Sequence, residues 1–197
     1  MEKRSDGVAA FHATSQEVWR QWLEKNHASE KSVWLIIYKK DSGTSSVYYP
    51  EAVDEALCFG WIDSKPNKRD DKSYYQFFAK RNSKSNWSRV NKEKVARLLK
   101  AEKMAPAGME MIRIAKENGT WTALDDVENL IVPADLQKAF DGYDNAFGYW
   151  NAFPKSVKRG ILEWILNAKK PETRQKRIDQ TAQMAENNER ANQFRRK

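Results

Sequence analysis

Every stretch of this chain that reads as a β-strand lies before residue 81, and from Asn86 onward the apolar residues recur at helical spacing. This change of period is the pattern of an α+β protein: helices packed on a small sheet first, an all-helical part after it. "SVWLIIYKK" (32–40) is β-branched and aromatic, as a largely buried strand requires. "YYQFFAK" (74–80) is a second strand, with Tyr75 and Phe77 on one face and Tyr74, Gln76 and Phe78 on the other. Between them "DSGTSS" breaks the chain and "VYY" resumes it, which suggests a hairpin. "YPEAVDEALCFG" then reads as a short helix. Pro50 suits its first turn, Gly60 its stop, and Ala52, Val53, Ala56 and Leu57 its buried stripe. "WID" restarts extended chain, and "SKPNKRDDKS" (64–73) reads as a loop.

The helical signals follow the same logic. Thr14 and Glu17 have capping-box spacing ahead of Val18, Trp19, Trp22 and Leu23. Trp87, Val90, Val95, Leu98 and Leu99 form one inward stripe, and Pro106 to Gly119 bounds another helix. Residues 120–132 are acidic and irregular and read as a connector. Pro133, Pro154 and Pro171 each open a further helix, and Asp144 is placed to cap one more. The expected organisation is an α+β domain over residues 1–125, a helical domain over 130–190 and a frayed polar tail over 188–197.

Composition narrows the chemistry. The 197 residues include eight tryptophans and are 40% hydrophobic, enough for a packed core. The single cysteine, Cys58, excludes an intrachain disulfide and sits on an apolar helix stripe, as a small core residue would. His12 and His27 have no metal-ligand spacing, so no metal is implied. GxSxG, GxxxxGK[ST] and GxGxxG are absent, so no catalytic residue and no cofactor is implied. The longest strongly apolar run, "VWLII", is far shorter than the ~20 residues of a membrane span. The start of the chain lacks a signal-peptide core, so a cytoplasmic setting is expected.

The net charge of +8 is segregated. Lys65 to Lys103 holds 13 Lys and Arg against 4 Asp and Glu, interleaved with Tyr74, Tyr75, Phe77 and Phe78. Such a segment fits an anion, an acidic protein partner or, if the rings are exposed, nucleic acid. Asp63 leaves a strand beside this basic loop. It could orient Arg81, serve as a base in a cleft, or hold its own turn. Ser83, Ser85, Asn86 and Ser88 are natural N-caps for the helix after them, with Lys80, Arg81 and Lys84 nearby. Helix amides and cations together would suit an anion.

Four stretches carry a family likeness: "EAVDEALCFGWIDSK" (51–65), "RNSKSNWSRVN" (81–91), "KMAPAGMEMIRIAKENGTW" (103–121) and "NAKKPETRQKRI" (167–178). In this order they resemble the bacterial YdeI/OmpD-associated, or bacteriocin-protection, family over nearly the whole chain. Ser64 and Lys80 stand where many members have glycine and proline. The resemblance implies a role in bacteriocin tolerance and stress survival, and it carries no reaction. The expected function is a non-enzymatic binding module with its surface at Trp61, Asp63, Lys80, Arg81, Ser85 and Trp87. The alternatives are a nucleic-acid-associated protein using residues 65–103 and an enzyme using Asp63.

Overall fold

The computed structural model describes residues 6–192 and the backbone of residues 2 and 3. The protein is α+β and divides into two compact units, Met1–Thr122 and Ala123–Lys197.

The first unit is built on five strands: β1 (Glu2–Lys3), β2 (Ala9–His12), β3 (Ser32–Tyr38), β4 (Trp61–Lys68) and β5 (Ser73–Lys80). Their order in the sheet is β1-β2-β3-β5-β4. β2 and β3 run parallel and are joined by helix α1 (Gln16–Asn26), the long crossover that parallel pairing needs. β3–β5 and β5–β4 are antiparallel. Val33, Leu35 and Ile37 point to one face of β3, Trp34 and Ile36 to the other, and all five are buried. Helices α1, α2 (Tyr49–Cys58), α3 (Arg89–Lys100) and α4 (Pro106–Glu117) cover the first face. Trp34, Ile36, Tyr75 and Ala10 form a smaller apolar layer on the second.

β3 has both of its edges occupied, by β2 and β5, so "VYY" has no strand to pair with. The hairpin expected there does not form. Instead the Val47 N–H donates to the Ala13 carbonyl at 3.0 Å, the Ser46 hydroxyl accepts from the Tyr38 N–H, and α2 starts at Tyr49. The loop expected over 64–73 is also shorter. β4 continues to Lys68, paired with β5 as far as Tyr74, with an irregularity between Asp63 and Pro66. An edge strand tolerates proline at such a break. Asp70 closes the remaining turn by accepting from the Lys72 and Ser73 N–H groups.

Capping differs in detail. Ser15, not Thr14, caps α1, accepting from the Val18 N–H. Ser88 caps α3 in the same way through the Asn91 N–H. Val90 is 60% exposed, so the inner stripe of α3 is Val95 and Leu98, with Trp87 buried just before the helix. Gly108 lies in α4 where its helix meets α2: a β-carbon there would stand 2.2 Å from the Cys58 carbonyl oxygen. The Ala105 N–H donates to that same carbonyl.

The second unit is helical: α5 (Asp125–Glu128), α6 (Ala134–Phe140), α7 (Ala146–Ala152), α8 (Lys155–Leu166) and α9 (Pro171–Glu186). The presumed connector contributes Leu124 and Val127 to its core, around Leu136, Phe140, Trp150, Ile161 and Ile178. Asp144 does not cap α7. The Glu186 carboxylate, reaching from α9, accepts from the Asn145 N–H and side-chain amide. Ala191 is buried in this core, and residues 193–197 of the expected tail lie outside the described residues.

Candidate anion cleft

Gly60 ends α2 with φ of +71°, a conformation glycine adopts without strain, and this turn lets Trp61 start β4. Trp61 pairs with Lys80 across the β4–β5 ladder, and the Arg81 N–H donates to the Gly60 carbonyl at 3.0 Å. The two chain ends, Gly60–Trp61 and Lys80–Arg81, are thereby held side by side. The end of α1 supplies His27 and Ala28, and the first turns of α4 supply Ala107, Glu110 and Met111. Together with Phe59 these residues line a cleft of about 320 Å³.

Arg81 is the unusual member. Its side chain is buried, at 7% relative exposure, and its guanidinium carbon lies 3.8 Å from the centroid of the Trp87 ring. Nη2 donates to the Asn86 carbonyl at 2.6 Å. Nε is buried with no hydrogen-bond partner, and among the described residues no carboxylate pairs with the guanidinium. Burial without a counter-charge pushes its pKa down, to about 10. A cation in this state is short of an anion by ordinary accounting: buried charges are nearly always paired, and an orphaned donor costs ~1–3 kcal/mol.

The other polar groups at the cleft are committed. Lys80 Nζ donates to the Ala28 carbonyl at 2.6 Å. His27 Nδ1 is 2.8 Å from the Leu23 carbonyl, capping the end of α1. Glu110 is taken up in an ion pair with Arg113, whose hydrogen bonds lower the Glu110 pKa. The Trp61 indole N–H reaches the His27 carbonyl at 3.4 Å, and the ring packs edge-on against Trp22.

Of the six residues picked out in the sequence, the fold gathers Trp61, Lys80 and Arg81 at the cleft, with Trp87 beneath Arg81. Asp63 and Ser85 are not among the lining residues. Asp63 does not orient Arg81, and it does not hold its own turn. Its carboxylate accepts from the Tyr49 hydroxyl at 2.7 Å. Ser85 is exposed in a turn, its N–H donating to the Asn82 carbonyl. The α4 wall had no chemical signal in the sequence. Its one hint is Gly108, a glycine inside an apolar-periodic helix, which marks a close helix approach.

Elsewhere in this unit Cys58 is fully buried, and burial pushes its thiol up to about 11, away from nucleophilic use. Glu55, also buried, accepts from Gln16 and Arg20 in a closed network. Among the described residues no group of three or more His, Cys, Asp or Glu side chains is placed to hold a metal ion, and no helix is long and apolar enough to cross a membrane. Phe78 is fully buried, Tyr75 nearly so, and Tyr74 and Phe77 pack on the two apolar layers, so these rings are not laid out for base stacking.

Residues 11–111, 101 of the 197, match a family described as a domain of unknown function, DUF8412. The chain belongs to this family. Residues 129–188 match a second family, described as Bacteriocin-protection, YdeI or OmpD-Associated. The likeness to that family holds over this helical segment, not over nearly the whole chain. No curated protein and no solved structure matches the chain. Every residue lining the cleft falls within the DUF8412 segment. The bacteriocin-protection description therefore attaches to the unit that lacks the cleft.

Proposed function

We propose that this protein is a non-enzymatic binding module for a small anionic ligand, serving bacteriocin tolerance or a related bacterial stress response in the cytoplasm. The observation that carries the binding half is Arg81: a buried guanidinium with an orphaned Nε and, among the described residues, no carboxylate partner, on the wall of an open cleft. The biological half rests on the family match of residues 129–188. The cleft offers no nucleophile or general base. His27 is spent on a helix end, Glu110 on Arg113, and Asp63 lies elsewhere. This favours binding over catalysis.

The test is calorimetric titration of the full chain, at low ionic strength, with sodium salts of phosphate, pyrophosphate, acetate and phenylacetate. One-to-one binding by at least one of them, abolished in Arg81→Met, is the expected result. If no anion binds, or the variant binds as tightly as the parent, the proposal fails.

A further inference from the structure

The cleft that holds Arg81 is not built for an inorganic anion. Its walls are Phe59, Trp61, Ala107 and Met111; Lys80 at its edge is held on the Ala28 carbonyl, which leaves Arg81 as the cation with an unused donor. Inorganic phosphate is compact and strongly hydrated; it would lose water to this apolar wall and gain little from it. The Glu110 carboxylate is at the same cleft and works against a second negative charge on the ligand. A guanidinium is weakly hydrated and matches the planar fork of a carboxylate. At ~30 Å³ for each non-hydrogen atom, as in liquid water, a volume of about 320 Å³ holds roughly ten such atoms.

Resting on the anion-binding reading above, we infer that the ligand class is a small monocarboxylate with a flat or branched apolar body. The carboxylate meets Arg81, and the body lies between Trp61 and the Ala107–Met111 face of α4. Arg81 is held for this by Trp87: the ring under the guanidinium and the Asn86 carbonyl on Nη2 fix its plane. Trp87 is itself anchored by its backbone N–H, which donates to the Thr120 carbonyl at 3.1 Å, and by the Trp121 ring 5.1 Å away. A preformed cation of this kind binds without paying for its own ordering.

Four probes separate the parts of this inference: phenylacetate, its neutral amide phenylacetamide, acetate and inorganic phosphate. Phenylacetate should bind at least tenfold more tightly than each of the others. In wild-type protein it should shift the Trp61 indole and Met111 methyl resonances and leave those of Ile131 and Leu166, in the other unit, in place. Ala107→Leu, which enlarges a side chain on the cleft wall and keeps Arg81, should weaken phenylacetate at least tenfold. If acetate or phosphate matches phenylacetate, the apolar-body class is overturned while the anion site stands. If phenylacetamide matches it, charge recognition is overturned and both proposals fall. Shifts confined to residues outside the cleft overturn the location, and this readout needs no variant to fold.

Discussion

The guanidinium carbon of Arg81 sits 3.8 Å above the ring of Trp87, and among the described residues no carboxylate forms an ion pair with it. An aromatic face is a partial substitute for a counter-ion, worth on the order of 1–2 kcal/mol when desolvated. It does not satisfy the guanidinium's hydrogen-bond donors. The protein thus keeps a cation under desolvation at the edge of a cleft, a cost that ligand binding would offset.

Removing that cation should therefore not harm the fold. Arg81→Met should be as stable as the parent in urea denaturation, or more stable by up to ~2 kcal/mol, while losing anion binding. A destabilisation above ~3 kcal/mol would instead make Arg81 a structural brace. The pH dependence has a definite sign. Up to about 10 the group is charged in the folded and unfolded chain alike, and its desolvation weighs against folding. Above that value the folded chain gives up the proton first, so the cost is relieved as the binding charge disappears. Affinity measured by titration should be level from pH ~7 to ~9 and fall about tenfold per unit above about 10.

Asp63 should be dispensable for binding. Its carboxylate serves Tyr49, whose pKa is pushed up to about 12 by burial first and by Asp63 second. Asp63→Asn should leave anion affinity unchanged, cost under ~1 kcal/mol and lower the Tyr49 pKa. The raised pKa contributes stability that is complete below the ordinary tyrosine value and is lost as pH rises from there through about 12. Phenolic absorbance titration, with Tyr49→Phe as the blank, reads the shift. A loss of affinity in Asp63→Asn would return Asp63 to the site.

The α2–α4 contact should be intolerant of any side chain at position 108. A β-carbon at Gly108 meets the Cys58 carbonyl oxygen at 2.2 Å and its carbon at 2.7 Å, both backbone atoms that cannot swing away. Gly108→Ala should cost ~2–4 kcal/mol, visible as a fall in thermal midpoint. It should also weaken ligand binding, because α4 carries the far wall of the cleft. Unchanged stability would mean the two helices can part without cost.

In the helical unit, Asp135 accepts from Arg174 through both carboxylate oxygens, and this pairing holds its pKa below the ordinary aspartate value. A depressed carboxylate pKa contributes stability above its unfolded value and loses it as pH falls through the folded one. Arg174→Ala should cost ~0.5–1 kcal/mol at neutral pH, the pair being partly exposed. That difference should vanish in acid, once Asp135 is protonated in both proteins. Denaturation at the two pH values checks it; an equal cost in acid would point to lost packing of the arginine stem instead.

Local chemistry decided what the sequence alone could decide. The strand runs "SVWLIIY" and "YYQFFAK", the stop at Gly60, the proline-opened helices and the buried Cys58 all follow from residue shape, φ preference and periodicity over a few positions. So do Lys80 and Arg81, which stand out within one basic segment, and Trp61 just ahead of it. Tertiary structure decided which of them work together. "VYY" had strand propensity and no free strand edge beside it, so packing overrode it. Asp63 lay next to the basic loop in sequence, yet a strand alternates its side chains between faces, and its carboxylate met Tyr49, fourteen residues back. The cleft itself needs α4, brought to Gly60 by a contact that only a hydrogen-sized side chain at Gly108 permits. Propensity is a property of neighbours in the chain. An unpaired charge beside a cavity is a property of neighbours in space, and no spacing in the sequence encodes it.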